Sequence, residues 1–253
     1  MSAMSEISVI IALRDRSGTR LANCLRSLRW QTVDCADVEI VLSDFGSDLQ
    51  HAASIAEMAD EYGAVVERTE TDAVWNRSRA LNLGIQAATG RLALCTDADM
   101  IFAPDFLAAV LQSHASEPDA MVVCRCHDLP ESLAETPWQR SDFALLRSKA
   151  AERHLSGTGA CQAVRRQFFN DVRGYDEAFE YWGAEDDDML HRAQRYGLQV
   201  CWLPKSTSML HQWHPTMKND KWLQRKINEW RLKLTRHNVV KNRAGWGHIG
   251  AAD

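Results

Sequence analysis

No apolar run in the 253-residue sequence reaches the roughly 20 residues that a membrane span requires; the longest, such as Ile7 to Leu13, stop far short of it. A charged leader followed by an apolar stretch is also missing, so the expectation is an unexported protein that is soluble in a cytoplasm. Basic charge is not in surplus either. Lys and Arg number 29 against 34 Asp and Glu, a formal net charge of −5, which argues against a protein whose main work is to grip nucleic acid. The seven cysteines are an odd set without a secretory signal, which fits a reducing compartment better than a disulfide framework. Cys124, Cys126 and His127 suggest zinc, but no second pair at metal-ligand spacing completes a four-ligand site. With 45% hydrophobic and 25% charged residues, wholesale disorder is not expected and the chain can bury one sizeable core.

What the sequence does have is alternation. Residues 7–13 (ISVIIAL) form a β-branched run without polar interruption, the pattern of a strand buried on both faces of a parallel sheet. Leu21, Cys24, Leu25 and Leu28 follow at helical spacing. The pattern returns as strand 38–42 with helix 49–62, strand 64–68 with helix 74–88, and strand 91–96 leading into Asp97-Ala98-Asp99. Pro104 fits the first turn of a helix over 105–114. Residues 121–126 read as a further strand. Residues 128–160 hold Pro130, Pro137, Gly157 and Gly159, the composition of a long excursion or lid, with Gly157 and Gly159 as hinge or plain turn residues and a helix near 143–151. A strand at 160–164, helices at 167–172 and 186–196, and a last strand at 198–203 complete an α/β chain whose ligand edge lies at the carboxyl ends of its strands.

The C-terminal segment differs in charge. Between Lys205 and Arg243 there are ten basic residues and two acidic ones. A helix over 219–237 would carry Trp222, Leu223, Ile227, Trp230 and Leu234 as an apolar stripe. Such a helix would lie on an anionic membrane, dock on its own catalytic domain, or meet a partner protein or anionic polymer.

Asp97 and Asp99 stand directly after a buried strand, where two carboxylates suit a divalent ion and a diphosphate-bearing substrate. A helix-initiating turn is the plainer reading of that pair taken alone. Glu185-Asp186-Asp187-Asp188 places four carboxylates at a helix start, more than capping needs, and their mutual repulsion would raise one pKa toward that of a general base. His211 and His214, read as following the last strand, could complete a metal site and would favour Mn²⁺ over Mg²⁺.

Together these stretches resemble the GT-A nucleotide-sugar glycosyltransferases over about residues 6–215. The likeness is to family 2 of these enzymes, with a C-terminal half similar to the β1,4-galactosyltransferases and the bacterial chondroitin-type polymerases. It rests on IALRDR (11–16), DFGS (44–47), WNRSRALNLGIQAA (75–88) leading to CTDAD (95–99), and WGAEDDD (182–188). The resemblance implies a GT-A catalytic domain over 1–215, with a Rossmann-like, mostly parallel sheet flanked by helices, and a helical, basic C-terminal extension over 216–253. It implies that Arg14, Arg16 and Arg77 contact the nucleotide of a UDP-sugar, with Asp44 near the base or ribose and Trp75 against the uracil. Asp97 would face the sugar or ribose, Asp99 would bind Mn²⁺ (or Mg²⁺), and His211 or His214 would be the late metal ligand. Asp186 matches the catalytic base, with Glu185 beside it and Trp182 stacking on sugar. The acceptor would be a glycan, lipid-linked or other hydroxyl. Leu13 and Asp15 in the first turn, and the missing stem, make the sequence look like a bacterial relative at work in the cytoplasm or peripherally on the inner face of the plasma membrane. A sugar-phosphate nucleotidyltransferase and a non-catalytic sugar-nucleotide- or glycan-binding protein of the same fold are the alternatives.

Overall fold

Every residue of the first strand, β1 (Ile7–Leu13), is buried, and its two faces feed two separate cores. The computed structural model describes residues 5–153, 158–181, 183–215 and 222–248. In chain order β1 is followed by α1 (Thr19–Arg29), β2 (Val38–Phe45), α2 (Leu49–Tyr62), β3 (Val65–Thr69), α3 (Arg77–Ala87), β4 (Leu92–Asp97), β5 (Met100–Phe102), α4 (Phe106–Ser116), β6 (Ala120–Val123), β7 (Cys126–Asp128), α5 (Phe143–Lys149), β8 (Ala151–Glu152), β9 (Gln162–Arg165), α6 (Arg166–Val172), α7 (Glu185–Tyr196), β10 (Gln199–Trp202), β11 (Met209–His211) and α8 (Trp222–Thr235).

The main sheet has seven strands in the order β10-β6-β9-β4-β1-β2-β3, all parallel except β9, which runs antiparallel to both β4 and β6. One core joins Ile7, Val9, Ile11 and Leu13 to Leu21, Leu25 and Leu28 of α1 and to Phe106 and Val110 of α4. The other joins Ile10 and Ala12 to Leu81 and Ile85 of α3, Phe169 of α6, and Met189 and Ala193 of α7. Burial on both faces explains why β1 shows no alternation of apolar and polar residues.

Several elements differ from the expectation. The apolar run 121–126 is two strands: β6 stays in the main sheet, while β7 crosses to a four-stranded sheet ordered β5-β11-β7-β8. An apolar run reports burial and is silent about which sheet does the burying. Helix α3 starts at Arg77 and not at residue 74, because the Asn76 side chain caps it by accepting from the Arg79 N–H at 2.9 Å. Pro104 lies outside α4, whose first residue is Phe106. His211 is the last residue of β11, a strand that falls after the one expected to be last, so it is held by a ladder and does not hang from a loop. Within the excursion, Gly157 lies outside the described residues.

Helix α8 packs on the body, but not by its apolar stripe. Asn228 is the side chain it buries, donating to the Glu180 carbonyl at 3.0 Å, while the stripe faces outward. The chain then returns to the second core, where Trp246 is buried. Lys241 reaches Asp176 at 3.1 Å and Asp188 at 3.4 Å, and the buried Arg192 donates to the Val239 carbonyl at 2.7 Å. These ions are costly to desolvate and are retained here in mutual contact, which fixes residues 239–241 against α7.

Candidate functional site

β4 and the crossing into β5 deliver Asp97 and Asp99 to the carboxyl edge of the sheet, and α7 begins beside them. Arg77, the first residue of α3, holds the two together. Its Nε and Nη2 donate to Asp97 Oδ1 at 3.0 and 2.8 Å, Nη2 also donates to the Gly159 carbonyl at 2.8 Å, and Nη1 lies 3.6 Å from Glu185 Oε1. Arg77 is nearly buried, so its charge is spent inside the site. Asp97 keeps a partly exposed face beside it.

The four carboxylates at the start of α7 diverge. The loop before them is forced: Tyr181, Gly183 and Ala184 all have φ between 60° and 103°, a conformation that costs non-glycine residues energy. Glu185 turns inward, is buried, and accepts from the Gly183 N–H at 2.6 Å. Asp186 is half-buried beside Gly159, where an added Cβ would stand 3.0 Å from Asp186 Oδ2. Gly159 therefore gives Asp186 room. Asp187 faces solvent, and Asp188 is buried against Arg192 and Lys241.

The group with the strongly raised pKa in this cluster is Glu185, and its cause is not chiefly repulsion among the acids. Burial pushes Glu185 up to about 7, with Arg77 opposing and the charge of Asp186 adding. A native carboxyl that holds its proton more tightly than the unfolded one loses stability as pH rises. That loss accumulates between about pH 4.5 and 7 and is complete above. Glu185→Gln should therefore match the native protein in thermal unfolding at pH 4.5 and gain on it steadily up to pH 7, by about 3 kcal/mol in all. A difference that does not change with pH would mean that Glu185 is an ordinary surface-like acid.

On the other side of Asp97 lies a second constellation. Asp99 Oδ2 is 3.3 Å from His214 Nε2 and 3.7 Å from His211 Nε2, and one ligand atom from each of the three lies within 4.8 Å of the others. Asp99 Oδ1 is buried without a hydrogen-bond partner among the described residues. Burial pushes the Asp99 carboxyl up, but the hydrogen bond from His214 and the charges of His211, His214 and Arg16 outweigh it and leave it below its ordinary value. The same bond raises His214 against the effect of its burial. An orphaned carboxylate oxygen beside two imidazole nitrogens suits a divalent transition ion. Asp128, which the sequence reading did not single out, stands behind His211: its Oδ1 is 3.1 Å from His211 Nδ1, and Arg153 clamps it from the other side through Nε at 3.0 Å and through Nη2. That contact leaves His211 Nε2 free to point toward Asp99.

The remaining candidates are spread around the first strands. Arg16 is exposed and close enough to Asp99 for its charge to act there. Arg14 is occupied with backbone, donating to the carbonyls of Ala73 at 2.8 Å, Thr71 at 3.1 Å and Phe45. Asp44 is buried, pairs with Arg68 and accepts from the Ser47 N–H at 3.0 Å. Trp75 is half-buried with its ring edge-on to Phe45, centroids 6.3 Å apart. The structure thus brings Arg77, Asp97, Gly159, Glu185 and Asp186 together at one place and Arg16, Asp99, His211 and His214 at the next. It places Arg14 and Asp44 as internal braces of the neighbouring turns. Trp182 lies outside the described residues.

Comparison with known proteins places this chain in a lineage. The chain is 23% identical over 224 residues to validoxylamine A glucosyltransferase of Streptomyces hygroscopicus subsp. jinggangensis, covering 77% of this chain and 52% of that protein. It thus spans about half the length of the curated relative. Among solved structures it resembles GalNAc-T7 crystallised with UDP, GalNAc and Mn²⁺, with a TM-score of 0.64, 18% identity, and coverage of 85% of this chain and 45% of that one. It also resembles the mannosyltransferase PcManGT of Pyrobaculum calidifontis in complex with GDP-Man and Mn²⁺, with a TM-score of 0.63, 18% identity, and coverage of 94% and 69%. These likenesses show the GT-A fold. The family model for the N-terminal domain of galactosyltransferase matches residues 147–215, the stretch that carries Gly159, Asp186, His211 and His214. Because the model of glycosyl transferase family 2 matches residues 8–173, from β1 through α6, the chain belongs to that family.

Proposed function

We propose that the protein is an inverting, divalent-metal-dependent glycosyltransferase that moves a sugar of galactose, N-acetylhexosamine or glucose type from a UDP-sugar to an acceptor hydroxyl in bacterial glycan biosynthesis. The observation that carries the reading is Arg77, whose guanidinium ties Asp97 of the Asp97–Asp99 turn to Glu185, the neighbour of Asp186. Donor-side and acceptor-side carboxylates are thereby held at one edge of the sheet.

In this reading residues 1–215 are the catalytic domain and 216–253 an extension. Asp99, His211 and His214 would hold the ion, with the charge of Arg16 beside it. When bound, it would supply positive charge against the departing diphosphate. Asp186 takes the proton of the acceptor hydroxyl as its oxygen bonds to the anomeric carbon. The bond from that carbon to the diphosphate breaks, and the nucleoside diphosphate leaves with the electron pair. Attack from the face opposite the leaving group inverts the centre without a sugar bound to the enzyme. Glu185, its pKa pushed up to about 7 by burial and its carboxyl bonded to the loop, carries less than a full negative charge beside Asp186 at neutral pH. Trp75 and Asp97 are assigned to the base and the sugar or ribose.

Thermal unfolding with UDP, GDP, CDP and dTDP, each with and without Mn²⁺, tests the donor half, because a ligand bound by the native state alone raises its stability by mass action. A shift of several degrees with UDP that needs Mn²⁺ is expected. A preference for GDP would replace the donor, and no shift with any nucleotide or nucleotide-sugar would remove the transferase reading.

A further inference from the structure

We infer that α8 is a membrane-docking helix whose outward row seats on an anionic lipid surface. Leu223, Ile227, Trp230 and Leu234 recur at intervals of four, three and four residues, one face of a helix, and they are 59%, 45%, 67% and 68% exposed. The opposite face is already used, since Asn228 is buried and bonded to the Glu180 carbonyl. The apolar row is therefore not a displaced core face.

Charge selects the partner. Over α8 and the residue after it, Arg225, Lys226, Arg231, Lys233 and Arg236 stand against one acid, Glu229, while the chain as a whole is negative. Part of that positive charge is offset internally, Glu229 pairing with Arg225 at 3.2 Å and Lys226 at 2.8 Å. An apolar row with an indole among it, flanked by bases, is the construction of a helix lying in the headgroup boundary, where each base near an anionic surface contributes about 1 kcal/mol. The acidic remainder of the chain would be repelled by the same surface, so docking is oriented with α8 toward the lipid. A second copy would offer its own basic α8 to this one, which like charges oppose.

Orientation connects this surface to the reaction. α8 lies against the loop that leads into Glu185 and Asp186: a Cβ placed on Gly183 would touch Arg225 Cγ at 3.7 Å, and Asn228 holds Glu180. A bilayer under α8 therefore lies one helix diameter, about 10 Å, from the acceptor-side loop, and the acceptor class it points to is a hydroxyl of a lipid-linked glycan. That last step rests on the transferase reading; the lipid contact does not.

The test is co-sedimentation of the full chain with vesicles of phosphatidylcholine alone and of phosphatidylcholine mixed with phosphatidylglycerol, at low and high salt. The expected result is binding to the mixed vesicles, weakened by salt, with the tryptophan emission shifted to the blue. The double variant Trp230→Ser with Leu234→Ser should lose about tenfold or more in vesicle affinity, with unchanged circular dichroism. Absence of binding, equal binding to both vesicle types, or a variant that binds like the native chain would overturn the proposal. So would a concentration-dependent dimer abolished by the same variant. The nucleotide-induced thermal shift, read on the native chain alongside vesicle binding, separates the two readings. Vesicle binding without any nucleotide shift leaves the lipid surface and removes the transferase; a nucleotide shift without vesicle binding does the reverse.

Discussion

Asp186→Asn should reduce sugar transfer by about 10² to 10⁴-fold, the usual contribution of a positioned general base, while the UDP-dependent thermal shift stays within experimental error of the native value. The asymmetry follows from geometry. Asp186 sits at the start of α7, beside Gly159, and is not among the residues gathered with Asp99, so it has no hand in the cluster assigned to the diphosphate. The amide replaces the carboxylate at equal volume, so packing against Gly159 is retained and only the ability to accept a proton is lost. Gly159→Ala is the complementary change. A methyl 3.0 Å from Asp186 Oδ2 must displace the carboxylate, and transfer should fall several-fold without loss of UDP binding. Steady-state transfer to a hydroxyl acceptor and thermal unfolding with UDP and Mn²⁺ measure both. Loss of UDP binding in Asp186→Asn would move this residue to the donor side, and an active variant would hand the base role to Glu185, whose pKa of about 7 would then be the functional one.

Where the sequence was legible, one physical rule had no competitor. β1 could be read because a strand buried on both faces admits no polar alternation, and α2 was delimited correctly at 49–62 because Gly63, in the left-handed conformation, stops it. The acidic start of α7 was visible as a run too charged for a cap. What escaped depended on contacts through space. Nothing in the run 120–128 says that Val123 and Cys126 belong to different sheets, and Asp128 gains meaning only when β7 and β11 pair and bring it to His211. Gly159 reads as a hinge or a plain turn residue in sequence and is a clearance for Asp186 in space. The period of α8 gave its apolar stripe correctly, but amphipathicity does not say which side faces the protein, and here it is the Asn228 side. By resemblance Arg14 and Asp44 are nucleotide contacts, and only the structure shows that Arg14 also donates to backbone carbonyls and that Asp44 pairs with Arg68.

Asp99→Ala should abolish the Mn²⁺-dependent part of the UDP shift, whereas Asp128→Asn should only weaken it, and the ranking of the two tests the layered construction of the site. Asp99 is the one carboxylate in the cluster, with one oxygen facing the two histidines and the other lacking a partner among the described residues. Without it two imidazoles remain, which raise each other's cost of protonation but do not neutralise a divalent charge. Asp128 acts one step back. His211 and Arg153 bond to it and hold its carboxyl well below the usual range against the effect of burial, so it stays ionised and keeps the His211 ring turned with Nε2 toward Asp99. Removing that orientation typically costs 10 to 100-fold in metal affinity, about 1.4 to 2.7 kcal/mol. Titration of Mn²⁺ into the protein with UDP, followed by the loss of the free-ion electron paramagnetic resonance signal, reads affinity without any turnover. Equal affinity in the native protein and Asp99→Ala would remove the ion from this cluster. A loss in Asp128→Asn as large as in Asp99→Ala would mean that Asp128 is itself a ligand and that His211 turns away from it when the ion arrives.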